Sequence, residues 1–220
     1  MNLFDILGPV MVGPSSSHTA GAVRIGYISG KLLQDHVVKA EILLHGSFAT
    51  TGIGHGTDKA LIAGLLGMRP DDIRIPDSFF LAKKGGMEFS FSTITLKDAH
   101  PNTAVLRLTG EHGRKIEVQA ASIGGGRILI AKLDGIEVNF SAEKPTLIVH
   151  NVDQPGHVAQ VTSMLAEKQV NIATLQLYRD KRGGYAVMVI ETDQEVPEES
   201  VAWLEQLDGI IKVTYINVEE

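Results

Sequence analysis

Residues 147–156, LIVHNVDQPG, decide the fold of the C-terminal part of the chain, because an apolar run ends there in a turn. The Pro-Gly pair that closes this stretch favours a change of direction, since proline fixes φ and glycine adopts positive φ without strain. Apolar side chains then recur at helical spacing at Val158, Val161 and Leu165. The stretch therefore predicts a strand, a turn and a helix that packs back against the strand.

The elements that follow continue this pattern to the end of the chain. They are strands over residues 171–178, 185–191 and 210–218, and a helix that opens at Pro197 and ends at Gly209. A proline in the first turn and a glycine after the last turn are typical of helix boundaries. The resulting order, βαββαβ, predicts a ferredoxin-like domain over residues 145–220. The short polar segment before Pro145 marks its boundary with a domain formed by residues 1–144.

The first 144 residues predict an α+β domain with a mostly antiparallel sheet. Its predicted strands cover residues 40–44, 87–96, 104–109, 115–122 and 127–132, and its predicted helices follow the serine-rich loop 15–17 and cover 58–66. In the first of these helices Gly26 and Gly30 lie four residues apart, a spacing that permits close backbone packing. We expect Ser16 or Ser17 to cap the N-terminus of this helix.

Composition and charge narrow the classes of function. The 20 basic and 26 acidic residues give a net charge of −6, so no basic field attracts nucleic acid or an anionic membrane surface. The sequence contains no run of ~18 apolar residues, so no membrane-spanning helix is predicted. The N-terminus has an acidic residue, Asp5, and no basic segment before it, which argues against a secretory signal. These features predict a cytoplasmic protein. The chain has no cysteine, which excludes disulfides, thiolate catalysis and any iron–sulfur cluster held by this chain alone.

Three stretches carry residue types that suit a binding or catalytic site. The first is GPSSSHTAG, residues 13–21, with hydroxyl and imidazole groups at the predicted start of a helix. Backbone N–H groups at a helix N-terminus favour a carboxylate or a phosphate. A capped, serine-rich loop without a ligand is the alternative interpretation.

The second stretch, HGSFATTGIGHG at residues 45–56, reads as a glycine-spaced loop between a strand and a helix, with His55 between glycines. Alternating glycines allow the backbone to approach a ligand closely. The third consists of HPNT at residues 100–103 and SIGGG at residues 122–126, where the glycine triplet suits an anion-binding nest or a wide turn. A zinc site formed by the histidines of these stretches is disfavoured, because they lack the i, i+4 spacing of a helical metal pair.

Taken together, GPSSSHTAG, HGSFATTGIGHGTD, HPNT and SIGGG resemble, in this order, the beta chain of the bacterial iron–sulfur-dependent L-serine dehydratase family. The C-terminal βαββαβ pattern with its NVDQPG turn resembles an ACT domain. The resemblance covers essentially the whole chain. It implies a two-chain lyase that converts L-serine to pyruvate and ammonia, with a [4Fe-4S] cluster bound by cysteines of an alpha chain. It also implies that the N-terminal fold resembles the allosteric substrate-binding domain of some D-3-phosphoglycerate dehydrogenases.

The resemblance implies roles for residues of this chain. His18 and His55 are the candidates for base and proton shuttle, since imidazole titrates near neutral pH. The candidate substrate-binding residues carry hydroxyl, amide or imidazole groups or lie in glycine turns: Ser15, Ser17, Thr19, Ser47, Gly54, His100, Asn102, Ser122 and Gly125. The alternative is that the alpha chain supplies the base and the two histidines only orient the substrate.

In the ACT domain, Asn151, Asp153, Gly156 and Asn171 occupy positions that resemble a ligand-binding loop and its contact across a domain pair. The acidic residue at position 153 departs from the amide that is more usual in serine-sensing ACT domains. The domain is therefore predicted either to bind an amino acid such as L-serine or to serve self-association without a ligand. A purely regulatory amino-acid-binding subunit is the alternative function of the whole chain.

Overall fold

The computed structural model describes residues 10–52 and 54–217. Two sequence-based interpretations, the absence of a secretory signal at residues 1–9 and the end of the last strand at Val218, lie outside these residues. The chain divides into two compact units between Gly135 and Ile136, earlier than the boundary predicted after Lys144. The division falls there because a strand over residues 136–140 contacts strands of the second unit. None of the helices in the described part of the chain is long and apolar enough to cross a membrane.

The first unit combines helices with a mixed sheet. Its helices are α1 (Gly21–Leu33), α2 (Gly46–Thr51), α3 (Thr57–Leu65) and α4 (Ser78–Lys84), and its strands are β1 (Val37–Leu44), β2 (Glu88–Thr93), β3 (Thr103–Gly110), β4 (Lys115–Gly124) and β5 (Arg127–Leu133). Within the unit these strands follow the order β2-β1-β3-β4-β5. β1 is parallel to β2, whereas the β1–β3, β3–β4 and β4–β5 pairs are antiparallel. The predicted α+β domain with a mostly antiparallel sheet is confirmed.

Helix α1 contributes the centre of the core of this unit. It packs on α3 and on β4, and its apolar stripe of Ile25, Ile28 and Leu32 is fully buried. Each buried aliphatic side chain stabilises the fold by roughly 1.5–3 kcal/mol relative to an exposed one. The sheet contributes alternate buried side chains, such as Leu106 and Leu108 of β3.

Residues 46–51 form helix α2, where a glycine-spaced loop was predicted. Gly46 has a φ of +56°, which lets the chain turn sharply after β1. Phe48 anchors this short helix, since its side chain is completely buried. Helices of this length depend on tertiary packing rather than on propensity, so the local sequence pattern alone does not predict them.

Helices α1 and α3 approach each other so closely that two positions exclude any side chain. A Cβ atom at Gly26 would lie 2.1 Å from the Leu61 carbonyl oxygen, and one at Gly64 would lie 2.0 Å from the Val23 carbonyl oxygen. At Gly30 the nearest atom would be 3.8 Å away, which is an ordinary contact. The predicted close packing is therefore confirmed for Gly26 but not for Gly30, and the partner of Gly26 is Gly64.

The second unit has the predicted βαββαβ order. Strand β6 (Ile136–Phe140) comes first, followed by β7 (Thr146–Val152), α5 (His157–Glu167), β8 (Ile172–Arg179), β9 (Tyr185–Thr192), α6 (Glu198–Leu204) and β10 (Ile210–Ile216). β7 to β10 form an antiparallel sheet in the order β10-β7-β9-β8. Its core contains Val149, Leu165 and Leu204, which are fully buried. The ferredoxin-like fold is confirmed.

We expect Gly26→Ala to destabilise the protein, because the added methyl group has no space against the Leu61 carbonyl. Overpacking of this kind costs about 1–3 kcal/mol. Gly30→Ala is the matched control in the same helix, where the methyl group fits and the better helix propensity of alanine adds roughly 0.5–1 kcal/mol. Urea denaturation followed by circular dichroism measures both free energies of unfolding. Equal unfolding midpoints for the two variants would contradict the close helix contact.

Candidate functional site

A π-helical turn, Ser16–Ala20, leads into α1 and holds His18. Ser15 caps this turn, because its hydroxyl oxygen accepts a hydrogen bond from the His18 N–H at 3.2 Å. On the other side, the Thr57 hydroxyl of α3 donates to the His18 carbonyl at 3.0 Å. The capping residue is therefore Ser15 rather than one of the two later serines that were predicted, and the backbone of His18 is fixed from two sides.

Helix α2 presents two hydroxyl groups to the ring of His18. Ser47 and Thr51 lie one turn apart on the same face of α2, and their hydroxyl oxygens are 3.1 Å and 3.2 Å from His18 Nε2. The HPNT turn holds the start of this helix, since the Ser47 N–H donates to the Pro101 carbonyl at 2.8 Å. Gly46 is required beside it, because a Cβ atom would lie 2.6 Å from the same carbonyl oxygen.

His55 lies next to His18. The two ring centroids are 5.0 Å apart, with 37° between the ring planes. Nδ1 of His55 is 2.9 Å from the carbonyl oxygen of Thr51, and His55 is exposed. Phe48 packs edge-on against His18, with 5.3 Å between the centroids, and shields one side of that ring. We refer to His18, Ser47, Thr51 and His55 as the histidine–hydroxyl cluster.

The surroundings of His18 favour its neutral form. Partial burial lowers the pKa of His18 below its ordinary value of 6.5, and the charge of a protonated His55 lowers it further, while the Ser47 backbone opposes both effects. The cluster contains no carboxylate, so no charge pairing within it stabilises an imidazolium ion. At neutral pH it therefore offers a neutral His18 imidazole beside hydroxyl groups, which can donate, accept and exchange protons.

The other predicted residues of the first stretch lie at different depths. The Ser15 hydroxyl is 3.5 Å from His18 Nδ1 and so lies beside the cluster. Ser17 is half-buried. Thr19 and Ser122 are buried, and their hydroxyl groups have no hydrogen-bond partner in the described part of the chain. Neither hydroxyl group therefore contributes a described hydrogen bond to the histidine–hydroxyl cluster.

The remaining predicted residues of the first unit contribute mainly backbone contacts. The His100 ring accepts a hydrogen bond from the Asn102 N–H at 3.1 Å, and the Asn102 carbonyl accepts one from the Ser122 N–H at 2.9 Å. These bonds shape the HPNT turn that supports α2. Gly54 is exposed in the turn after α2, and Gly125 is exposed in the β4–β5 turn with a φ of +62°. Among the described residues, the hydrogen bonds of His100 and Asn102 do not reach the histidine–hydroxyl cluster.

In the second unit, two of the predicted ligand-binding residues already have partners. The Asp153 carboxylate accepts hydrogen bonds from the Gly183 N–H at 2.9 Å and from Arg179 Nη1 at 3.0 Å. These donors hold the pKa of Asp153 below its usual value. The Asn171 side chain donates to the Asp193 carboxylate at 2.6 Å. Asp153 is therefore a structural member of the loop, and its charge is balanced from within the unit.

Two other predicted residues of this loop, Asn151 and Gly156, are less fully engaged by their neighbours. Asn151 is buried, and its Oδ1 has no hydrogen-bond partner among the described residues. Gly156, immediately before α5, has a φ of +108° and open space around its Cβ position. Free backbone N–H groups at the start of a helix favour a carboxylate.

Sequence reasoning missed Thr51, although this residue contacts both histidines. A signal was present, because Ser47 and Thr51 are four residues apart, the spacing that places two side chains on one face of a helix. The interpretation of residues 45–56 as a loop concealed it. Phe48 was missed for the same reason.

Fold and site together define the class of protein: an α+β unit with a histidine–hydroxyl cluster, followed by a ferredoxin-like unit. Residues 2–84 match the family model described as serine dehydratase beta chain, and residues 145–209 match the ACT domain model. The chain is 37% identical over 216 residues to the L-serine dehydratase beta chain of Peptoniphilus asaccharolyticus. The aligned region covers 98% of this chain and 97% of that protein. It therefore belongs to the serine dehydratase beta chain family, and its C-terminal unit is an ACT domain.

Two further relatives match most of this chain. The probable L-serine dehydratase beta chain of Bacillus subtilis is 40% identical over 215 residues, which covers 98% of this chain and 97% of that protein. A D-3-phosphoglycerate dehydrogenase of Methanocaldococcus jannaschii is 27% identical over 201 residues, which covers 90% of this chain and 37% of that protein. The segment that matches the serine dehydratase model includes the whole histidine–hydroxyl cluster.

We expect His55→Ala to raise the pKa of His18, because the variant removes a nearby positive charge that lowers it. NMR titration of the ring Cε1–H signals of the intact chain measures this pKa. His36→Ala is the matched control, since it removes an exposed histidine whose described hydrogen bonds are made by its backbone. The pKa of His18 should not change in the control. The coupling between the rings is absent if His55→Ala also leaves it unchanged.

Proposed function

We propose that this chain is the beta subunit of a cytoplasmic L-serine dehydratase, a lyase that deaminates L-serine to pyruvate and ammonia together with an alpha chain. The observation that carries the proposal is the histidine–hydroxyl cluster, which lies within the segment that matches the serine dehydratase beta chain family. Such a reaction belongs to amino-acid catabolism and supplies pyruvate for gluconeogenesis.

The reaction requires a base and a departing hydroxide. The α-hydrogen of serine is weakly acidic, so a positioned base must take the proton. The electron pair of the C–H bond then forms the Cα=Cβ double bond as hydroxide leaves Cβ. The resulting aminoacrylate tautomerises to an imine, which water hydrolyses to pyruvate and ammonia. His18 and His55 are the proposed base and proton shuttle, because imidazole accepts and releases protons near neutral pH.

Hydroxyl groups near the histidines are suited to bind the polar ends of serine. Ser47 lies against Nε2 of His18 and Ser15 lies near Nδ1 of the same ring. A hydroxyl group both donates to a carboxylate and accepts from an ammonium group. Among the predicted substrate-binding residues, Ser15 and Ser47 therefore have the strongest support.

The residues of this chain do not fit a [4Fe-4S] cluster. The sequence has no cysteine, and residues 10–52 and 54–217 contain no group of three metal-ligating side chains. We therefore assign the cluster of the proposed enzyme to the alpha chain, where it would act as a Lewis acid. From this chain we derive only proton transfer and substrate binding.

The test is anaerobic co-expression with the alpha chain, followed by a pyruvate assay with L-serine. We expect His18→Ala and His55→Ala each to lower kcat by roughly 10²–10⁴, the usual contribution of a positioned acid–base group. His36→Ala is the control and should retain the kcat of the unmodified enzyme. His112 is less suitable as a control, because it forms an ion pair with Asp35 at 2.8 Å.

Three results of this assay would contradict parts of the proposal. A higher KM with an unchanged kcat would place the base in the alpha chain and leave the histidines as orienting groups. Turnover of serine by this chain alone would overturn the division of labour between two chains. Serine binding without any pyruvate from the co-expressed pair would support the purely regulatory subunit.

For the ACT domain we propose an amino-acid site at the loop between β7 and α5, with self-association through the domain as the alternative. The unpartnered Asn151 Oδ1 and the open space at Gly156 support the site. Since Arg179 already balances the charge of Asp153, that carboxylate is a smaller obstacle to the ligand's own carboxylate.

Calorimetry of the full chain with L-serine tests the ACT site. We expect saturable heat, and we expect Gly156→Asp to abolish it, because the new carboxylate fills the open space and repels the ligand. Gly113→Asp is the matched control, since this glycine also has positive φ and open surroundings but lies in the first unit. No heat from a chain that still self-associates in sedimentation would leave pairing as the role of the domain.

A further inference from the structure

We infer that Thr51 is a positioning residue that fixes the protonation of both histidines and leaves Nε2 of His55 as the proton acceptor. The assignment of His55 as the base rests on the proposed function. The assignment of the two imidazole tautomers does not, because it follows from the hydrogen bonds of this chain alone.

The hydroxyl group of Thr51 has one proton, and the structure identifies its hydrogen-bond acceptor. Thr51 Oγ1 lies 2.9 Å from the carbonyl oxygen of Ser47. A carbonyl oxygen only accepts, so Thr51 must donate its proton there. This is the usual bond of a threonine to the carbonyl four residues earlier in a helix. Toward every other neighbour, Thr51 Oγ1 can therefore act only as an acceptor.

His18 must then carry a proton on Nε2. This nitrogen is 3.2 Å from Thr51 Oγ1 and 3.1 Å from Ser47 Oγ. A bare nitrogen lone pair facing the lone pairs of Thr51 would repel them, whereas an N–H group can donate to both hydroxyl oxygens. In neutral His18 the other nitrogen, Nδ1, is the acceptor, and it faces the Ser15 hydroxyl at 3.5 Å.

Ser15 is consistent with this assignment. Its oxygen already accepts from the backbone N–H of His18 at 3.2 Å, so its own proton is available for Nδ1 of the same residue. Ser47 also accepts from His18. Its own proton faces Thr51 Oγ1 at 3.2 Å, which by the same argument can only accept, so Ser47 donates to Thr51 until a substrate carboxylate takes that bond.

The other histidine has the opposite tautomer. Nδ1 of His55 lies 2.9 Å from the carbonyl oxygen of Thr51, which only accepts, so Nδ1 carries the proton. Nε2 of His55 then has the free lone pair, and this nitrogen has no hydrogen-bond partner in the described part of the chain. Thr51 therefore holds His18 through its side chain and His55 through its backbone.

This arrangement distinguishes the roles of the two rings. During elimination, Nε2 of His55 takes the α-proton, the electron pair of the C–H bond forms the Cα=Cβ bond, and hydroxide leaves Cβ. A second proton on His18 is disfavoured once His55 is charged, because the ring centroids are 5.0 Å apart. His18 is therefore neutral in the step that charges His55, and its Nε2–H donates to Ser47 and Thr51.

Long-range ¹H–¹⁵N NMR of the intact chain with labelled histidine tests the inference without any enzymatic assay. In the neutral form of each ring we expect the Nε2–H tautomer for His18 and the Nδ1–H tautomer for His55. Thr51→Val removes the acceptor side chain but keeps the carbonyl, so the His18 signals should move toward a tautomer mixture while those of His55 remain. Thr51→Ser should restore the pattern of the unmodified chain.

Thr50→Val is the matched control, because the Thr50 hydroxyl donates to the Gly46 carbonyl at 3.2 Å on the neighbouring face of α2. It should leave both histidines unchanged. The inference is overturned if His18 of the unmodified chain has its proton on Nδ1. It is equally overturned if Thr51→Val has the same histidine spectrum as Thr50→Val.

An activity assay of the two-chain enzyme then tests the assignment of the base. Loss of one hydrogen bond to a site residue predicts a fall in kcat of roughly 3- to 10-fold for Thr51→Val, rescued by Thr51→Ser and absent in Thr50→Val. If the tautomers are as inferred but kcat follows no such pattern, Thr51 does not position the base. If no variant or unmodified enzyme forms pyruvate, the proposed function fails while the tautomer assignment stands.

Discussion

Helices α1 and α3 meet backbone to backbone at Gly26 and Gly64, and this contact sets the spacing of the site above it. The turn that carries His18 leads directly into α1, and His55 comes just before α3. The helix contact therefore contributes to the distance between the two rings, together with the hydrogen bond from His55 Nδ1 to the Thr51 carbonyl. The hydrogen bond from Thr57 of α3 to the His18 carbonyl fixes the same separation at the level of the site. The paired-histidine site therefore depends on glycine at positions 26 and 64.

The site combines imidazole and hydroxyl groups and has no fixed charge of its own. A carboxylate beside a histidine would raise its pKa, as Asp35 does for His112 on the surface of the same unit. Around His18 the opposite holds, since burial lowers its pKa. The result is a ring that remains a neutral donor at working pH. Proton transfer then depends on tautomers and hydroxyl orientation, which a single short helix can control.

The ferredoxin-like order of the second unit could be predicted because each element has its own local signal, such as the turn at Pro155 and Gly156 or the helix start at Pro197. The two histidines of the site could be singled out because glycine-rich surroundings are poor for packing. Helix α2 could not, since it depends on burial of Phe48 by residues far away in the sequence. Because helix α2 was not predicted, the role of Thr51 was not predicted either. The partners of Asp153 were also hidden, because Arg179 is brought to it by the fold.

The π-helical turn at Ser16–Ala20 makes the position of His18 depend on the number of residues in the serine run as well as on their side chains. A π-helical turn holds one residue more than an α-helical turn, and each residue of a helix rotates the chain by about 100°. Losing one serine would therefore swing the imidazole of His18 away from α2 even with the remaining hydroxyl groups intact. Exchange of one side chain alters one contact, whereas a change of length displaces the whole set. The number of residues in this run therefore matters for the position of His18 independently of their chemistry.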